Sequence, residues 1–207
     1  MSDLNTIKLK VCGLRDNVME VAALCPDFMG FIFYDKSPRY VGDAFVLGAK
    51  TTALRIGVFV DQPIDEVLEI HKKYKLDMVQ LHGSESIDYC VELKAYDIKI
   101  IKVFAGNELP SQPIIDAYAP FIDYYLFDSK GKYEGGNGIA FDWTVLDQVK
   151  LTKPLFLSGG IDLDNVQNIK NLRGVEIYAI DVNSKFELTP GNKDIDKLKK
   201  LKSILKS

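Results

Sequence analysis

The stretch LRIGVFVDQPIDEVLEIHKKYKLDMVQLH, residues 54–82, contains the repeat that decides the fold. Its two ends, LRIGVFV and LDMVQLH, are short apolar runs of the kind that forms buried strands. Between them, helical spacing puts four residues of PIDEVLEIHKKY on one face: Ile64, Val67, Leu68 and His71. The stretch therefore predicts a strand, a helix and a second strand.

Eight such apolar runs occur along the chain, with starts about 21 to 32 residues apart. Strands separated by helices pair in parallel, because a helix between neighbours leaves no room for a hairpin. Eight units favour a closed (β/α)8 TIM barrel over an open sheet, and 207 residues lie near the lower limit for that fold. We therefore expect residues 1–207 to form one α/β domain with eight parallel strands. The runs are IKLKVC from Ile7, FMGFIFY from Phe28, LRIGVFV from Leu54, LDMVQLH from Leu76, IKIIKVF from Ile98, IDYYLFD from Ile122, PLFLSGG from Pro154 and EIYAID from Glu176.

Three connecting segments have features of their own. After the fifth run, AGNELPSQPIIDAYAP contains three prolines and predicts a helix that is short or begins late. The carboxyl-terminal KDIDKLKKLKSILKS has apolar residues at helical spacing and predicts the last helix. After the sixth run, DSKGKYEGGNGIAFDW predicts an ordered loop or a mobile lid over the barrel mouth, on account of Gly131, Gly135, Gly136 and Gly138.

The composition excludes several classes of protein. A 47% apolar fraction supports a soluble globular core, and a net charge of -3 gives no basic field for nucleic acid. No run approaches the roughly 18 apolar residues of a membrane span, and MSDLNTIKLK lacks a signal peptide's apolar core, so we expect a cytoplasmic protein without membrane contact. Three cysteines without metal-ligand spacing predict free thiols and no metal site. No nucleotide-binding glycine motif is present, so no cofactor is expected.

Residues at the carboxyl ends of the strands are the first candidates for chemistry, because active sites of these barrels lie there. Each has a purely structural alternative. A cysteine can be a small buried hydrophobe, an aspartate can form a turn, and an arginine can be solvated or can hold a carboxylate by two hydrogen bonds. A histidine here can be a general base, a polar wall or a structural residue. The candidates are Cys12, Arg39, Gln80, His82, Asp128, Gly159, Gly160 and Asp181.

The segments after the seventh and eighth strands form a candidate phosphate site. LSGGID supplies Gly159 and Gly160, and DVNSKFE supplies Asn183 and Ser184 beside Asp181. In these barrels the two loops often bind phosphate through backbone N–H groups, and glycine lets the chain approach the anion. Ordinary strand-to-helix turns are the alternative.

Ten stretches, in order along almost the whole chain, resemble the phosphoribosylanthranilate isomerase family. A single stretch would be a weak match, but ten collinear stretches are specific. The resemblance implies a (β/α)8 barrel that, without a cofactor, isomerises N-(5-phosphoribosyl)anthranilate to the carboxyphenylamino deoxyribulose phosphate. The stretches are KVCGLRD, GFIFYDKSPRYV, GVFVD, VQLHG, IKVF, LFDSKG, GGNGIAFDW, LSGGID, DVNSKFE and PGNKD.

The resemblance also implies roles for particular residues. Cys12 matches the family's general base, Asp128 its general acid, and Arg39 the arginine that binds the anthranilate carboxylate. The loops of the candidate phosphate site match those that bind the phosphate. The chain departs from the family at Ile139, where a lysine is common, and at Lys185, where a glycine is usual.

These roles require particular protonation states. With an ordinary pKa of ~3.9, Asp128 is protonated in only about one molecule in a thousand at pH 7, so burial or nearby negative charge should raise its pKa. With an ordinary pKa of ~8.5, Cys12 is a few per cent thiolate and can act without a large downward shift. Arg15 is the obvious neighbouring cation that would favour this thiolate.

Other functions remain open at this point. The histidine-pathway isomerase is a sister phosphate-binding barrel, but it usually has an aspartate where this chain has Cys12. Indole-glycerol-phosphate synthase, another sister, uses lysine and glutamate at strand ends, which we do not find. The third class is a catalytically inactive barrel that only binds a phosphorylated metabolite or a protein. In each case we expect a small phosphorylated ligand and a monomer or homodimer.

Overall fold

Eight parallel strands close into a barrel in the computed structural model, which describes residues 4–48, 51–129 and 141–206. Each predicted apolar run forms one strand, and each strand pairs with its neighbours in sequence, with β8 closing on β1. The predicted α/β barrel with eight parallel strands is confirmed. The strands are β1 (Lys8–Val11), β2 (Phe28–Ile32), β3 (Leu54–Phe59), β4 (Met78–Leu81), β5 (Lys99–Ala105), β6 (Tyr124–Asp128), β7 (Leu155–Leu157) and β8 (Ile177–Val182).

Helices surround the barrel unevenly. The helix after β5 has seven residues, as the prolines of that segment predict, and short 3₁₀ helices follow β6 and β7 at Trp143–Gln148 and Val166–Asn171. After β8 the chain forms a hairpin of β9 (Glu187–Thr189) and β10 (Asn192–Lys193) before the last helix. The α-helices are α1 (Val18–Ala23), α2 (Ile64–Tyr74), α3 (Ile87–Lys94), α4 (Gln112–Tyr118) and α5 (Ile195–Leu205).

The segment after β2 differs from the expected strand and helix alternation. In its described parts, 33–48 and 51–53, the chain forms turns and no helix. Gly42 has a φ of +81°, outside the helical region. Phe45 covers the outer surface of β2 instead, with its ring 5.5 Å from Phe31 and 5.7 Å from Tyr74. In the described parts of this segment, one aromatic side chain supplies the cover that a helix gives elsewhere in the barrel.

The lower half of the barrel interior is an apolar plug. Alternate side chains of the strands point inward, and at the amino-terminal end most of these are large and apolar. The rings of Phe28 and Phe156 meet edge to face at 5.1 Å, and those of Tyr124 and Tyr178 lie 5.3 Å apart. Above this plug the inward side chains on β1, β4, β6 and β8 become polar. The plug's buried members are Phe28, Ile56, Met78, Ile101, Leu126, Phe156 and Ala179.

The carboxyl-terminal helix packs on the barrel as its sequence predicts. Leu198, Leu201 and Leu205 are buried along one face of α5, and Lys199 and Lys200 are exposed on the other. Within the described ranges, no helix has the length and apolar character needed to cross a bilayer. The glycine-rich segment at 131–138, predicted to be an ordered loop or a lid, lies outside the described residues, as does Ile139.

Candidate active site

The carboxyl ends of the strands bring the predicted residues to one mouth of the barrel. Cys12 follows β1, His82 follows β4 and Asp128 ends β6. Ser158 follows β7, and Asp181 lies near the end of β8. A small cleft at this mouth includes the general-acid candidate and both candidate phosphate loops; it is lined by Asp128, Ser158, Gly159, Gly160, Ile161, Asp181, Val182, Asn183, Ser184 and Lys185.

Cys12 is a buried thiol inside the barrel. It packs with Ile32 and Val58, and Gly30 on the adjacent strand leaves room for it, because a Cβ there would lie 2.8 Å from the Cys12 Sγ. Burial raises the pKa of Cys12 to about 11, although the charge of Lys10 opposes that rise. The thiol therefore carries its proton at neutral pH in the ligand-free protein.

Arg15, the cation predicted to favour the Cys12 thiolate, does not have that role. The Arg15 guanidinium is turned to the surface, where it donates hydrogen bonds to Asp16 and to the carbonyl oxygens of Pro38 and Pro190. The cations that favour the thiolate are Lys10 and Lys193. Sequence reasoning missed Lys10, although strand alternation puts residues 10 and 12 on the same inward face.

Lys10 forms a buried ion pair across the first and last strands. Its side chain has no exposed surface, and its Nζ lies 2.8 Å from the Asp181 Oδ2. The two residues are register partners in the pairing of β1 with β8. Burial opposes the charged form of Lys10, but the charges of Asp181, Cys12 and Asp128 outweigh it and raise the Lys10 pKa. Among the described residues, the buried Asp181 Oδ1 has no hydrogen-bond partner.

Asp128 has the shifted pKa that a general acid needs. Burial, together with the charge of Asp181, raises the pKa of Asp128 to about 6. Hydrogen bonds from the Ser129 amide, at 2.8 Å, and from Ser158 oppose the rise. Burial and a nearby negative charge are the two causes of a raised pKa that were predicted from the sequence. The carboxyl group is therefore protonated in roughly one molecule in ten at pH 7.

Gln80 and His82 connect this ion pair to Asp128. The Gln80 Nε2 lies 2.8 Å from the His82 Nδ1, and the His82 Nε2 lies 3.6 Å from the Asp128 Oδ2. Burial and the charges of Lys10 and Lys102 lower the pKa of His82 to about 3. The ring is therefore neutral at physiological pH, and so low a pKa makes it a poor general base.

Arg39 is buried at the mouth and is not a solvated surface residue. Its guanidinium makes a two-pronged contact with Glu187, with Nε 3.0 Å from Oε1 and Nη2 2.8 Å from Oε2. Lys193, fully buried, donates both to Glu187 at 2.7 Å and to the Asn183 Oδ1 at 2.8 Å. Despite burial, these partners hold the pKa of Glu187 below its usual value. Sequence reasoning missed Glu187 and Lys193.

The loops after β7 and β8 have the geometry of an anion site. Gly159 and Gly160 have φ angles of +87° and +71°, which side chains rarely tolerate. Their carbonyl oxygens accept hydrogen bonds from Trp143, at 3.3 Å, and Asn165, at 2.8 Å. In the described part of the chain, the backbone N–H groups of Gly159, Gly160 and Asn183 have no acceptor. Ser184 begins a 3₁₀ turn beside them.

The described residues contain no group of three or more His, Cys, Asp or Glu side chains arranged to hold a metal ion. Lys185, one of the departures from the family pattern, lines the cleft beside Ser184.

Comparisons with known proteins identify the family of this barrel. Residues 9–203 match the family model for N-(5'-phosphoribosyl)anthranilate (PRA) isomerase. An N-(5'-phosphoribosyl)anthranilate isomerase from Parabacteroides distasonis is 41% identical over 92% of this chain and 90% of its own length.

Two solved structures share the architecture. One is of monomers generated from a dimeric phosphoribosylanthranilate isomerase of Thermotoga maritima; it has a TM-score of 0.75 and 30% identity, covering 97% of this chain and 98% of that one. The other is a phosphoribosylanthranilate isomerase in complex with reduced 1-(o-carboxyphenylamino)-1-deoxyribulose 5-phosphate. It has a TM-score of 0.72 and 29% identity, covering 94% of this chain and 95% of that one.

Proposed function

The chain belongs to the N-(5'-phosphoribosyl)anthranilate isomerase family, and we propose that Cys12 and Asp128 are the general base and general acid of its reaction. It is an isomerase of tryptophan biosynthesis that converts N-(5'-phosphoribosyl)anthranilate to 1-(2-carboxyphenylamino)-1-deoxyribulose 5-phosphate. The observation that carries the assignment is that both groups are buried at the same mouth and that Asp128 has a raised pKa. A carboxyl group whose pKa is raised toward neutral pH suits general acid catalysis, because a larger fraction of it carries the proton.

Asp128 starts the reaction. Its carboxyl group donates a proton to the ribose ring oxygen, the bond from that oxygen to C1' breaks, and the anthranilate nitrogen forms an iminium ion with C1'. The carboxylate that results lies near His82 and accepts hydrogen bonds from the Ser129 amide and from Ser158. These donors stabilise the charge that develops on Asp128 as its proton leaves.

Cys12 completes the rearrangement. In the form that reacts, the proton of the Cys12 thiol resides on Asp128. The thiolate removes the C2' proton to give an enolamine, which tautomerises to the ketone, and the thiol and the Asp128 carboxylate are thereby restored. In the ligand-free protein the pKa values of about 11 for Cys12 and about 6 for Asp128 favour the opposite protonation states. The gap of about five units corresponds to roughly 7 kcal/mol. The iminium ion reduces this cost, because its positive charge favours the thiolate and acidifies the C2' proton.

Arg39 binds the anthranilate carboxylate in this proposal. Glu187 occupies the edge of the guanidinium that carries Nε and Nη2. In the described residues, Nη1 has no partner, so the edge that carries Nη1 and the second hydrogen of Nη2 is open. That edge matches a carboxylate in two-pronged geometry.

The loops after β7 and β8 bind the phosphate in this proposal. The N–H groups of Gly159, Gly160 and Asn183 supply donors, and the Ser184 hydroxyl adds another. Lys193 donates a hydrogen bond to the Asn183 Oδ1, so the NH₂ group of the Asn183 amide is the end available to an anion. Asp181, through its unpartnered Oδ1, is suited to accept a hydrogen bond from a ribose hydroxyl.

We further propose that residues 1–207 act as one catalytic domain without a cofactor, in the cytoplasm. The three free cysteines fit a reducing compartment. A monomer and a homodimer are both compatible with the chain, and light scattering during gel filtration distinguishes them. The dimeric origin of the Thermotoga maritima relative makes the homodimer the form to test first.

A fluorescence assay with enzymatically generated phosphoribosylanthranilate tests the proposal. Asp128→Asn keeps the shape of the side chain and its acceptor for the Ser129 amide but has no acidic proton. We expect kcat to fall at least about a hundredfold, the usual scale for loss of a general acid. Asp164→Asn makes the same change on an exposed turn and should keep normal turnover. Normal turnover in folded Asp128→Asn would remove Asp128 from its role.

A further inference from the structure

A chain of donors and acceptors runs from the barrel interior to Asp128, and it begins at Lys10. An ammonium group only donates hydrogen bonds. Lys10 Nζ donates to Asp181 at 2.8 Å and to the Oε1 atom of Gln80. Because the carbonyl oxygen of Gln80 faces this cation, its amide NH₂ group faces the opposite way.

The orientation of Gln80 determines which nitrogen of His82 carries a proton. The amide NH₂ group lies 2.8 Å from the His82 Nδ1, so Nδ1 is the acceptor of that hydrogen bond. Burial and the neighbouring lysines keep the ring neutral, with a pKa of about 3. A neutral imidazole that accepts at one nitrogen carries its hydrogen on the other. The hydrogen therefore lies on Nε2, which is 3.6 Å from the Asp128 Oδ2.

We propose that Lys10 and Gln80 are positioning residues that hold His82 as the neutral Nε2–H tautomer, so that its ring directs a donor toward Asp128. The inference deepens the proposed function and rests on Asp128 as the general acid. The proton of ring opening comes from Asp128 and goes to the ribose oxygen, while His82 keeps its own proton. His82 thus stabilises the Asp128 carboxylate as it forms, which is the opposite of a general base role.

The reverse tautomer would work against the reaction. With a hydrogen on Nδ1, His82 would meet the NH₂ group of Gln80 donor to donor, and Nε2 would present a lone pair to Asp128. That lone pair favours the protonated carboxyl and opposes proton transfer to the substrate. The buried ammonium of Lys10 prevents this arrangement by fixing the amide, and its second hydrogen bond, to Asp181, holds it in place.

Nitrogen NMR of the ligand-free protein tests the tautomer directly, because the chain has only two histidines. His71 is half-buried on α2. In the His71→Gln variant, His82 gives the only histidine ring signals. Protonated and unprotonated imidazole nitrogens have well separated shifts. We expect the neutral ring to have its hydrogen on Nε2 in this background. A hydrogen on Nδ1, or a mixture of tautomers, would overturn the proposal. This test requires no substitution within the site.

Gln80→Glu is designed to reverse the tautomer. The carboxylate has the same shape and still accepts from Lys10, but its second oxygen now accepts from His82, so Nδ1 must carry the hydrogen. At a pH where the ring is neutral, we expect the Nδ1–H form and a kcat roughly tenfold to a hundredfold lower, the scale of losing a donor close to a charged group. Gln80→Met, which adds no charge, should release the tautomer preference and also lower kcat.

Gln167→Glu is the matched control, because it makes the same charge change at an exposed position on the 3₁₀ helix after β7. It should leave both the His82 signals and kcat unchanged. A neutral Nε2–H ring in Gln80→Glu, or normal kcat with the reversed tautomer, would contradict the proposal. Failure of the proposed function is separate, since it appears as normal turnover in Asp128→Asn whatever tautomer His82 has.

Discussion

The two ends of the barrel interior are built by the same strands but in opposite ways. On β1, β4, β6 and β8, the inward positions at the lower end belong to or border the apolar plug, where Phe28, Leu126 and Phe156 are almost completely buried. One or two inward positions further along, the same strands carry Lys10, Gln80, Asp128 and Asp181, which are nearly as buried.

The difference separates stability from chemistry. Burial of apolar rings stabilises the fold, whereas burial of charges costs free energy that imperfect pairing does not return. The raised pKa values of Cys12 and Asp128 record this cost. We therefore expect substitutions in the plug to change stability, and substitutions in the polar layer to change turnover.

Phe156→Ala should have the largest effect. Its ring contacts Phe28 at 5.1 Å and Tyr124 at 5.3 Å, and truncation of such a ring costs about 3–5 kcal/mol. Urea unfolding should show this loss, while kcat of the folded fraction stays near normal. Phe156→Leu, which retains most of the volume, should lose far less stability. A hundredfold fall in kcat of folded Phe156→Leu would contradict the separation.

Cys12→Ser should have the next largest effect, on turnover. A hydroxyl is a much weaker acid than a thiol, so we expect kcat to fall at least about a hundredfold. Cys90→Ser is the matched control, because Cys90 is equally buried but lies on α3 outside the barrel. It should lower the unfolding free energy and leave kcat unchanged. Equal losses of kcat in both variants would remove Cys12 from the mechanism.

Arg39→Lys should mainly weaken substrate binding. A lysine keeps the charge beside Glu187 but has no second edge for the anthranilate carboxylate. We expect KM to rise about tenfold and kcat to change less. Arg173→Lys, at an exposed position between β7 and β8, should leave KM unaltered. If KM stays the same in Arg39→Lys, the carboxylate assignment is wrong.

Gly30→Ala should have the smallest effect of the four. The new Cβ would lie 2.8 Å from the Cys12 Sγ, so the thiol must shift within the site. We expect kcat to fall a few-fold to about tenfold. Gly48→Ala, where a Cβ meets nothing within 4 Å, provides the comparison. A wild-type kcat in Gly30→Ala would show that the position of this thiol is not critical.

The sequence predicted the fold better than the details of the site. Each strand is signalled by a local apolar run, so all eight were predictable. The cover of β2 by Phe45, in a segment whose described parts contain no helix, was not predictable, because it depends on contacts with Phe31 and Tyr74, and Tyr74 is distant in sequence. Local patterns also place strand-end residues at the mouth, which is why Cys12 and Asp128 were identified.

The partners of these residues were harder to predict, because they come from distant parts of the chain. Lys10 meets Asp181, and Arg39 meets Glu187. Nothing local in KVCGLRD indicates that Lys10 points inward while Arg15 lies on the surface, except the alternation of the strand. Buried charges are uncommon, so a lysine in a strand is first interpreted as an exposed residue.

The most direct test of the central claim is the pH dependence of unfolding in the wild type and in Asp128→Asn. Asp128 has a pKa of 3.8 in the unfolded chain and about 6 in the folded protein, so its stabilising contribution is complete below about pH 4 and is lost as the pH rises through 6. We predict that the free energy of unfolding of Asp128→Asn rises relative to that of the wild type over this range, by about 3 kcal/mol at pH 8. A stability difference that does not change between pH 4 and pH 8, or that grows in favour of the wild type, would contradict the account.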